Sequence, residues 1–119
     1  MAFKFEKLRV WQISIELATE INTLTQKFPV HEKYVLTPQL QKAADSVAFN
    51  IAEGSTGQTD AEFKRFLSYS IRSGIEVVCG LYLGKHRNII SNGDFDNLYI
   101  KYEDLIKKLQ SLKKSIKPQ

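Results

Sequence analysis

Residues 37–62 read TPQLQKAADSVAFNIAEGSTGQTDAE and decide the fold, because they contain the end signals of two consecutive helices. Thr37 is predicted to cap the first helix, with Pro38 at the first helical position, where a missing N–H costs nothing. Gly54 is predicted to end this helix in a left-handed conformation. Thr59 opens a T-D-A-E capping box, which is typical of the start of a second helix. The stretch therefore predicts a helical hairpin.

Apolar residues recur at steps of three and four inside this hairpin and on both sides of it, and no alternating strand pattern competes. The last segment has the most regular spacing, sustained over three heptads, which favours near-antiparallel packing. At 119 residues, the chain is expected to be one domain, 1–119, with a basic tail at 113–119 that frays. The fold class predicted is all-α, an up-down-up-down antiparallel four-helix bundle with helices near 5–28, 37–53, 59–90 and 91–116.

The third predicted helix contains glycines at positions where they weaken a helix. Gly74, Gly80 and Gly84 each cost about 1 kcal/mol relative to alanine. With Ser70 and Ser73 nearby, they predict that another helix approaches this one closely.

The residues that could support catalysis do not form a recognisable constellation. His31 and His86 each lack a second histidine at ligand spacing, and Cys79 is the single cysteine. There is no phosphate-binding loop, dinucleotide turn or nucleophile motif. We therefore expect no enzyme activity, no cofactor and no metal.

The ends and the hydropathy of the chain suggest where the protein is found. No apolar run approaches the roughly 20 residues that span a bilayer. The opening MAFKFEKLRV lacks the apolar block of a secretory signal. We expect a cytoplasmic protein without a membrane partner.

The sequence resembles bacterial four-helix-bundle proteins encoded in intervening sequences of 23S rRNA genes. The matching residues include Phe28-Pro29, Leu36-Thr37, Val10-Trp11-Gln12 and, above all, the signature Asn50-Ile51-Ala52-Glu53-Gly54. The resemblance implies a homopentamer. It also implies kinship with the accessory variability protein of diversity-generating retroelements, a basic pentamer that binds nucleic acid and a reverse transcriptase. The family itself does not establish a biochemical role.

Two interpretations apply to the polar members of that signature. Asn50 and Glu53 could form hydrogen bonds across helices, or cap the Gly54 turn, and so fix the register of the bundle. Alternatively they could contact a ligand or a nucleic acid. The structural interpretation is favoured, because polar groups flanked by apolar residues must be satisfied within the fold.

Basic residues are concentrated in the second half of the chain. The formal net charge is +4, and five lysines but no acidic residue follow Asp104. Arg65 and Arg72 are seven residues apart and are predicted to share a helix face. No aromatic-interleaved surface for reading single-stranded bases is evident. Candidate phosphate-binding residues are Arg65, Arg72, Lys64, Lys85, Arg87, Lys107, Lys108, Lys113 and Lys114, with Lys117 further along the tail.

Two hypotheses of function follow. The first is an oligomeric accessory protein that contacts the backbone of RNA or DNA with little sequence preference. The second is a protein-interaction scaffold whose basic tail serves solubility or an acidic partner, a reverse transcriptase or another protein. In either case a closed ring is expected, with five subunits implied by the resemblance. Candidate contacts between protomers are Trp11, Ile15, Val77, Val78 and Leu81.

Overall fold

The structure is a computed structural model that describes residues 2–57 and 59–116. Its four α-helices are α1 (Arg9–Thr25), α2 (Leu36–Gly54), α3 (Asp60–His86) and α4 (Asn92–Ser115). Helix α1 packs against α2 and α4, and α3 packs against the same two helices. Consecutive helices are therefore neighbours and the last helix returns to the first. None of the residues described is in a strand, and the predicted all-α four-helix bundle is confirmed.

All four helices contribute to one hydrophobic core. The apolar stripes identified from the sequence face inward, and their central members are fully buried: Ile21, Leu40, Val47, Ile51, Leu67, Val77, Leu81, Leu105 and Leu109. The prediction that Val77 and Leu81 pack between protomers is wrong, because both side chains are completely covered within the chain. Val78 is partly buried against the same core.

Helix α1 is shorter at both ends than the predicted 5–28. A 3₁₀ turn, Lys4–Lys7, precedes it, and the Glu6 carboxylate accepts a hydrogen bond from the Phe3 amide at 2.9 Å. After Thr25 the chain forms tight turns, in which the Phe28 amide donates to the Thr25 carbonyl at 3.1 Å. The helical spacing of apolar residues continues through these turns. A prediction based on that spacing therefore overestimated the length of α1.

Helix α2 begins one residue before the position predicted for its cap. Thr37 is the second helical residue and does not cap the helix. The Oε1 atom of Glu32 instead accepts a hydrogen bond from the Leu36 amide at 3.3 Å. This carboxylate belongs to a second 3₁₀ turn, Val30–Glu32, and reaches the helix from outside the capping sequence. The usual capping pattern, which considers the residue next to the helix, therefore did not identify it.

Helices α2 and α3 approach closely at glycines, as predicted for Gly80. A Cβ atom added to Gly80 would lie 2.5 Å from a methyl group of Leu40. The prediction of a left-handed Gly54 is wrong: Gly54 is helical and buried, and the glycine with positive φ in this loop is Gly57. Gly54 is required for a different reason, since a Cβ there would lie 2.6 Å from Cβ of Phe66.

The remaining helix ends follow the local signals more closely. Thr59 Oγ1 accepts from the Glu62 amide at 3.0 Å, and Ser91 Oγ accepts from the Asp94 amide at 3.1 Å. Helix α3 ends at His86, before the predicted residue 90, and is unbroken.

The first part of the tail that is predicted to fray is helical. Helix α4 runs through Lys113 and Lys114 to Ser115. Residues 117–119, including Lys117, lie outside the described part of the chain.

Tyr102, a buried tyrosine of α4, makes the stability of the core depend on pH. The Tyr102 hydroxyl has no hydrogen-bond partner among the described residues. Burial raises the pKa of this phenol above its ordinary value of about 10, and the charges of Glu20 and Asp45 raise it further. Since the folded pKa is raised, the stability that Tyr102 contributes is complete below about pH 10 and is lost as the pH rises further.

We expect Tyr102→Phe to be at least as stable as the parent near neutral pH, because it removes an unsatisfied hydroxyl. Above about pH 10 the variant should lose less stability than the parent. Urea unfolding of both proteins, followed by circular dichroism near neutral pH and again above about pH 10, checks this. Equal alkaline losses in the two proteins would contradict it.

Candidate nucleic-acid interface

An open groove of about 530 Å³ lies between α3 and α4 and contains four of the predicted basic residues. We call it the basic groove. Helices α3 and α4 are antiparallel, so the beginning of α3 lies beside the end of α4. This arrangement brings together residues that are 38 to 50 positions apart in the sequence. The groove is lined by Lys64, Ser68, Ile71, Arg72, Gln110, Lys113 and Lys114.

The four cations of the basic groove keep their positive charge exposed to anions, as far as the described part of the chain shows. Within residues 2–57 and 59–116, none of Lys64, Arg72, Lys113 and Lys114 forms an ion pair with a carboxylate. Like charges held together without counter-charges attract anions, and their attraction is weakened by salt. The groove is thus a local concentration of positive charge on a chain of modest net charge.

The lysines of mid-α4 lie outside this groove and carry partners. Lys108 Nζ lies 2.6 Å from Oδ2 of Asp104, and Lys107 Nζ lies 4.0 Å from Oε1 of Glu103. These are pairs between residues four apart on an exposed helix, which contribute little to stability but compensate charge.

The other predicted basic residues of α3 and its end also contact groups within the fold. The Arg65 guanidinium lies over the Phe66 ring at 5.8 Å, and Lys85 Nζ lies 4.4 Å from the centre of the Phe95 ring. Neither residue lines the basic groove. Arg65 and Arg72, predicted to act on one face, are therefore in different surroundings.

Arg87 is held by a buried carboxylate. Its Nη1 atom donates to both carboxylate oxygens of Glu32 at 3.1 Å, and Glu32 is only 5% exposed. A buried carboxylate requires such a partner, because its desolvation is otherwise costly. The pair joins the α1–α2 connection to the end of α3. Arg87 thus has a structural partner and lies outside the basic groove.

A second groove, mostly apolar, lies where the first 3₁₀ turn meets α1 and α2. We call it the apolar groove. It measures about 480 Å³, and Phe49 on its wall is 65% exposed. Trp11 and Ile15, both predicted to lie at a protomer contact, are part of its wall together with Phe5, Ala18, Thr19, Asp45, Ala48, Phe49 and Ala52.

The signature residues, 50–54, form the last part of α2. Asn50 Nδ2 donates to the Ser46 carbonyl at 2.9 Å and to Ser46 Oγ at 3.0 Å. Ser73 Oγ on α3 donates to the same Ser46 Oγ at 2.9 Å. Asn50 is therefore connected to α3 through Ser46, whereas the Glu53 side chain is exposed. Neither residue lines the basic groove.

The histidines and the cysteine are not assembled into a site. His31 Nε2 lies 4.0 Å from Oε2 of Glu32, and Cys79 is exposed. No set of three His, Cys, Asp or Glu side chains in the described part of the chain could hold a metal ion. None of the helices described is long and apolar enough to cross a membrane.

Sequence reasoning missed the uncharged residues of the basic groove. Ser68 and Ile71 follow Lys64 by four and seven positions, and Gln110 precedes Lys114 by four. Helical spacing from the basic residues would have identified them. Which helix faces meet across the groove, however, depends on how α3 packs against α4.

Comparisons with known proteins relate the chain to one family. A family model described as 23S rRNA-intervening sequence protein matches residues 6–111. No curated protein matches the chain. Among solved structures, the fold is similar to a crystal structure of a protein of unknown function from the S23 ribosomal protein family of Bacteroides thetaiotaomicron VPI-5482. The TM-score is 0.81 at 25% sequence identity, and the match covers 88% of this chain and 98% of that chain. Because the family model spans most of its length, the chain belongs to the 23S rRNA-intervening sequence protein family.

Proposed function

We propose that this protein is an oligomeric accessory protein that binds the sugar–phosphate backbone of RNA or DNA through its basic groove. The observation that carries the proposal is the clustering of Lys64, Arg72, Lys113 and Lys114 without ion-pair partners among the described residues. Cations in such a groove recognise phosphates through charge and hydrogen bonds, which carry no sequence information by themselves. Binding should therefore depend weakly on sequence.

The structure supports this proposal more strongly than the net charge does. A formal charge of +4 is modest for a protein of this length. The charge that matters is local, because each contacted phosphate releases condensed counterions and the gain depends on how many contacts form together. In a closed ring, the groove would be repeated once per subunit, so that one strand could contact several grooves.

Salt dependence tests the proposal directly. Four contacts to a single strand predict a slope of log affinity against log salt of about −3 per protomer. Affinity should then fall by about 50-fold between about 50 and 200 mM salt. Fluorescence anisotropy with labelled RNA oligonucleotides of one length measures this.

Unrelated sequences provide the control, and they should bind within a few-fold of one another. If neither RNA nor DNA is retained at about 50 mM salt, the backbone-binding proposal fails. The scaffold function then remains, and a pull-down should recover a protein partner with an acidic surface.

Assembly into a closed ring is the second part of the proposal, with five subunits taken from the family resemblance. The apolar groove supports an interface, because Phe49 and Ile15 leave apolar surface uncovered at one side of the bundle. Burying such surface between protomers would be favourable. Trp11, on the wall of the same groove, would add a large contact area.

We expect light scattering coupled to size-exclusion chromatography to give a mass near five times 13.6 kDa. Phe49→Lys should lower that mass, because it places a charge on the apolar surface. Ile100→Lys is a matched control, since Ile100 is similarly exposed on α4 and does not line the apolar groove. A parent protein that is monomeric at micromolar concentration would refute the ring.

A further inference from the structure

Aromatic side chains form a partly exposed cluster at the other end of the α3–α4 pair. Phe95 is buried at its centre, and the Tyr82 ring packs edge-on against it with ring centroids 4.9 Å apart. Tyr99 stacks on Phe95 at 5.6 Å, and Lys85 Nζ lies 4.4 Å from the Phe95 centroid. We call these four residues the tyrosine cluster. Since Tyr82 is 44% exposed, a buried ring supports a tyrosine ring that is open to solvent.

The tyrosine cluster and the basic groove lie on one face of the α3–α4 pair. Lys64 and Tyr82 are separated by about five helical turns, so they project from the same side of α3. Tyr99 and Gln110 are separated by about three turns and share a side of α4. About 15 Å of helix lies between Arg72 and Tyr82. An extended strand of a few nucleotides bridges that length.

Between Tyr99 and the basic groove, the acidic residue of α4 on this face has a basic neighbour. Glu103 follows Tyr99 by four positions on the same side of α4, and its carboxylate lies 4.0 Å from Lys107 Nζ. On α3, the intervening positions on this face include Ile75 and Cys79, both exposed and uncharged. Glu76, also exposed, follows Arg72 by four positions, but it lines the groove between α2 and α3. A polyanion on the α4 side of α3 would therefore pass from one site to the other beside Ile75.

We infer that the nucleic acid bound by this face is single-stranded, with an unpaired base stacked on Tyr82 and neighbouring phosphates in the basic groove. The inference rests on the proposed function and adds the class of ligand. Stacking of a base on an aromatic ring is tolerant of sequence, because every base has a π-face. A base inside a duplex is already stacked between its neighbours and cannot use the tyrosine. The cluster therefore distinguishes single strands from duplexes, which the basic groove alone does not.

Three labelled probes of equal length test this inference. They are a mixed-sequence single-stranded RNA of about 12 nucleotides, a strand with the same phosphates in which abasic residues replace the nucleotides, and the corresponding duplex. For the parent protein, the base-containing strand should bind about tenfold more tightly than the abasic strand. The comparison isolates the bases, because both strands carry the same charge.

Tyr82→Leu should remove this difference while leaving the affinity for the abasic strand unchanged. Tyr69→Leu is the matched control, since Tyr69 is also on α3, is 39% exposed and has an edge-on aromatic neighbour, Phe66. It lies 13 positions before Tyr82 and projects from a different side of α3. This control should keep the full difference between the two strands.

The outcomes separate the inference from the proposed function. Equal binding of the base-containing and abasic strands, with a steep salt dependence, would overturn stacking and leave backbone binding in place. A loss for Tyr82→Leu that is equal on base-containing and abasic strands would also overturn it, since the tyrosine would then act through the fold. A lower oligomer mass for Tyr82→Leu would overturn it as well, since a second copy of the chain would then cover the cluster. Absence of all binding at about 50 mM salt would instead refute the proposed function.

Discussion

Reversing two charges in the basic groove, with Arg72→Glu and Lys113→Glu together, is expected to weaken RNA binding by at least about 60-fold at about 50 mM salt. At that salt concentration each lost contact to a single strand lowers affinity by about eightfold, so two contacts account for this factor. Repulsion between the new carboxylates and phosphates increases the loss. The slope of log affinity against log salt should also become shallower by about 1.4. Fluorescence anisotropy across a salt series measures both quantities.

A matched double variant separates the groove from net charge. Arg65→Glu with Lys108→Glu also takes the formal charge from +4 to 0, since each reversal changes it by two. Arg65 lies over Phe66, and Lys108 pairs with Asp104, so neither lines the basic groove. This control should weaken binding by only a few-fold, through long-range attraction that salt screens. Equal losses in the two double variants would refute the groove as the binding site.

The sequence was sufficient to predict the number of helices and most of the core. Apolar residues at steps of three and four are a direct consequence of 3.6 residues per turn, so the stripes of α2 and α4 face inward as expected. Helix ends were predicted correctly where the signal is local, as at Thr59, whose hydroxyl accepts a hydrogen bond from the Glu62 amide. The start of α2 was predicted wrongly because the group that accepts its first amide is not at the usual capping position: it is the carboxylate of Glu32, four residues before Leu36.

Gly54 shows a second limit of local reasoning. Its position after a helical stripe is typical of a left-handed cap, yet the structure requires glycine there because Phe66 approaches the backbone. Both explanations predict glycine, and only the packing of α3 on α2 distinguishes them. The same limit applies to Val77 and Leu81, whose apolar character could not show whether they face the core or another protomer.

The sequence was sufficient to name the residues of the candidate site, but not to predict which of them lie together on the surface. Ten basic residues were named, with Lys117 among them, and four of them line one groove. Lys64 and Lys114 line the same groove because α3 and α4 are antiparallel and pack in a particular register. The spacing of residues within one helix does not determine that register. The tyrosine cluster was missed for the same reason, since Tyr82 and Tyr99 come from different helices.

Replacing a buried leucine of α4, with Leu105→Ala, is expected to lower the free energy of unfolding by about 2–5 kcal/mol. Leu105 is fully buried in the bundle core, so the substitution removes apolar contacts and leaves a cavity that the surrounding helices fill only in part. Because total stability for a domain is about 5–15 kcal/mol, this is a large fraction of it. Urea unfolding followed by circular dichroism measures the change.

Leu112→Ala is the matched control, since it makes the same substitution one heptad later on the same helix. Leu112 is only partly buried near the end of α4, so its loss should be smaller than that of Leu105→Ala, below about 2 kcal/mol. Both variants must be measured at one protein concentration with their masses checked, because subunit association adds to apparent stability. A loss below about 1 kcal/mol for Leu105→Ala would mean that α4 packs loosely. The basic groove would then lack a rigid wall, since Gln110 and Lys113 depend on α4 for their positions opposite Arg72.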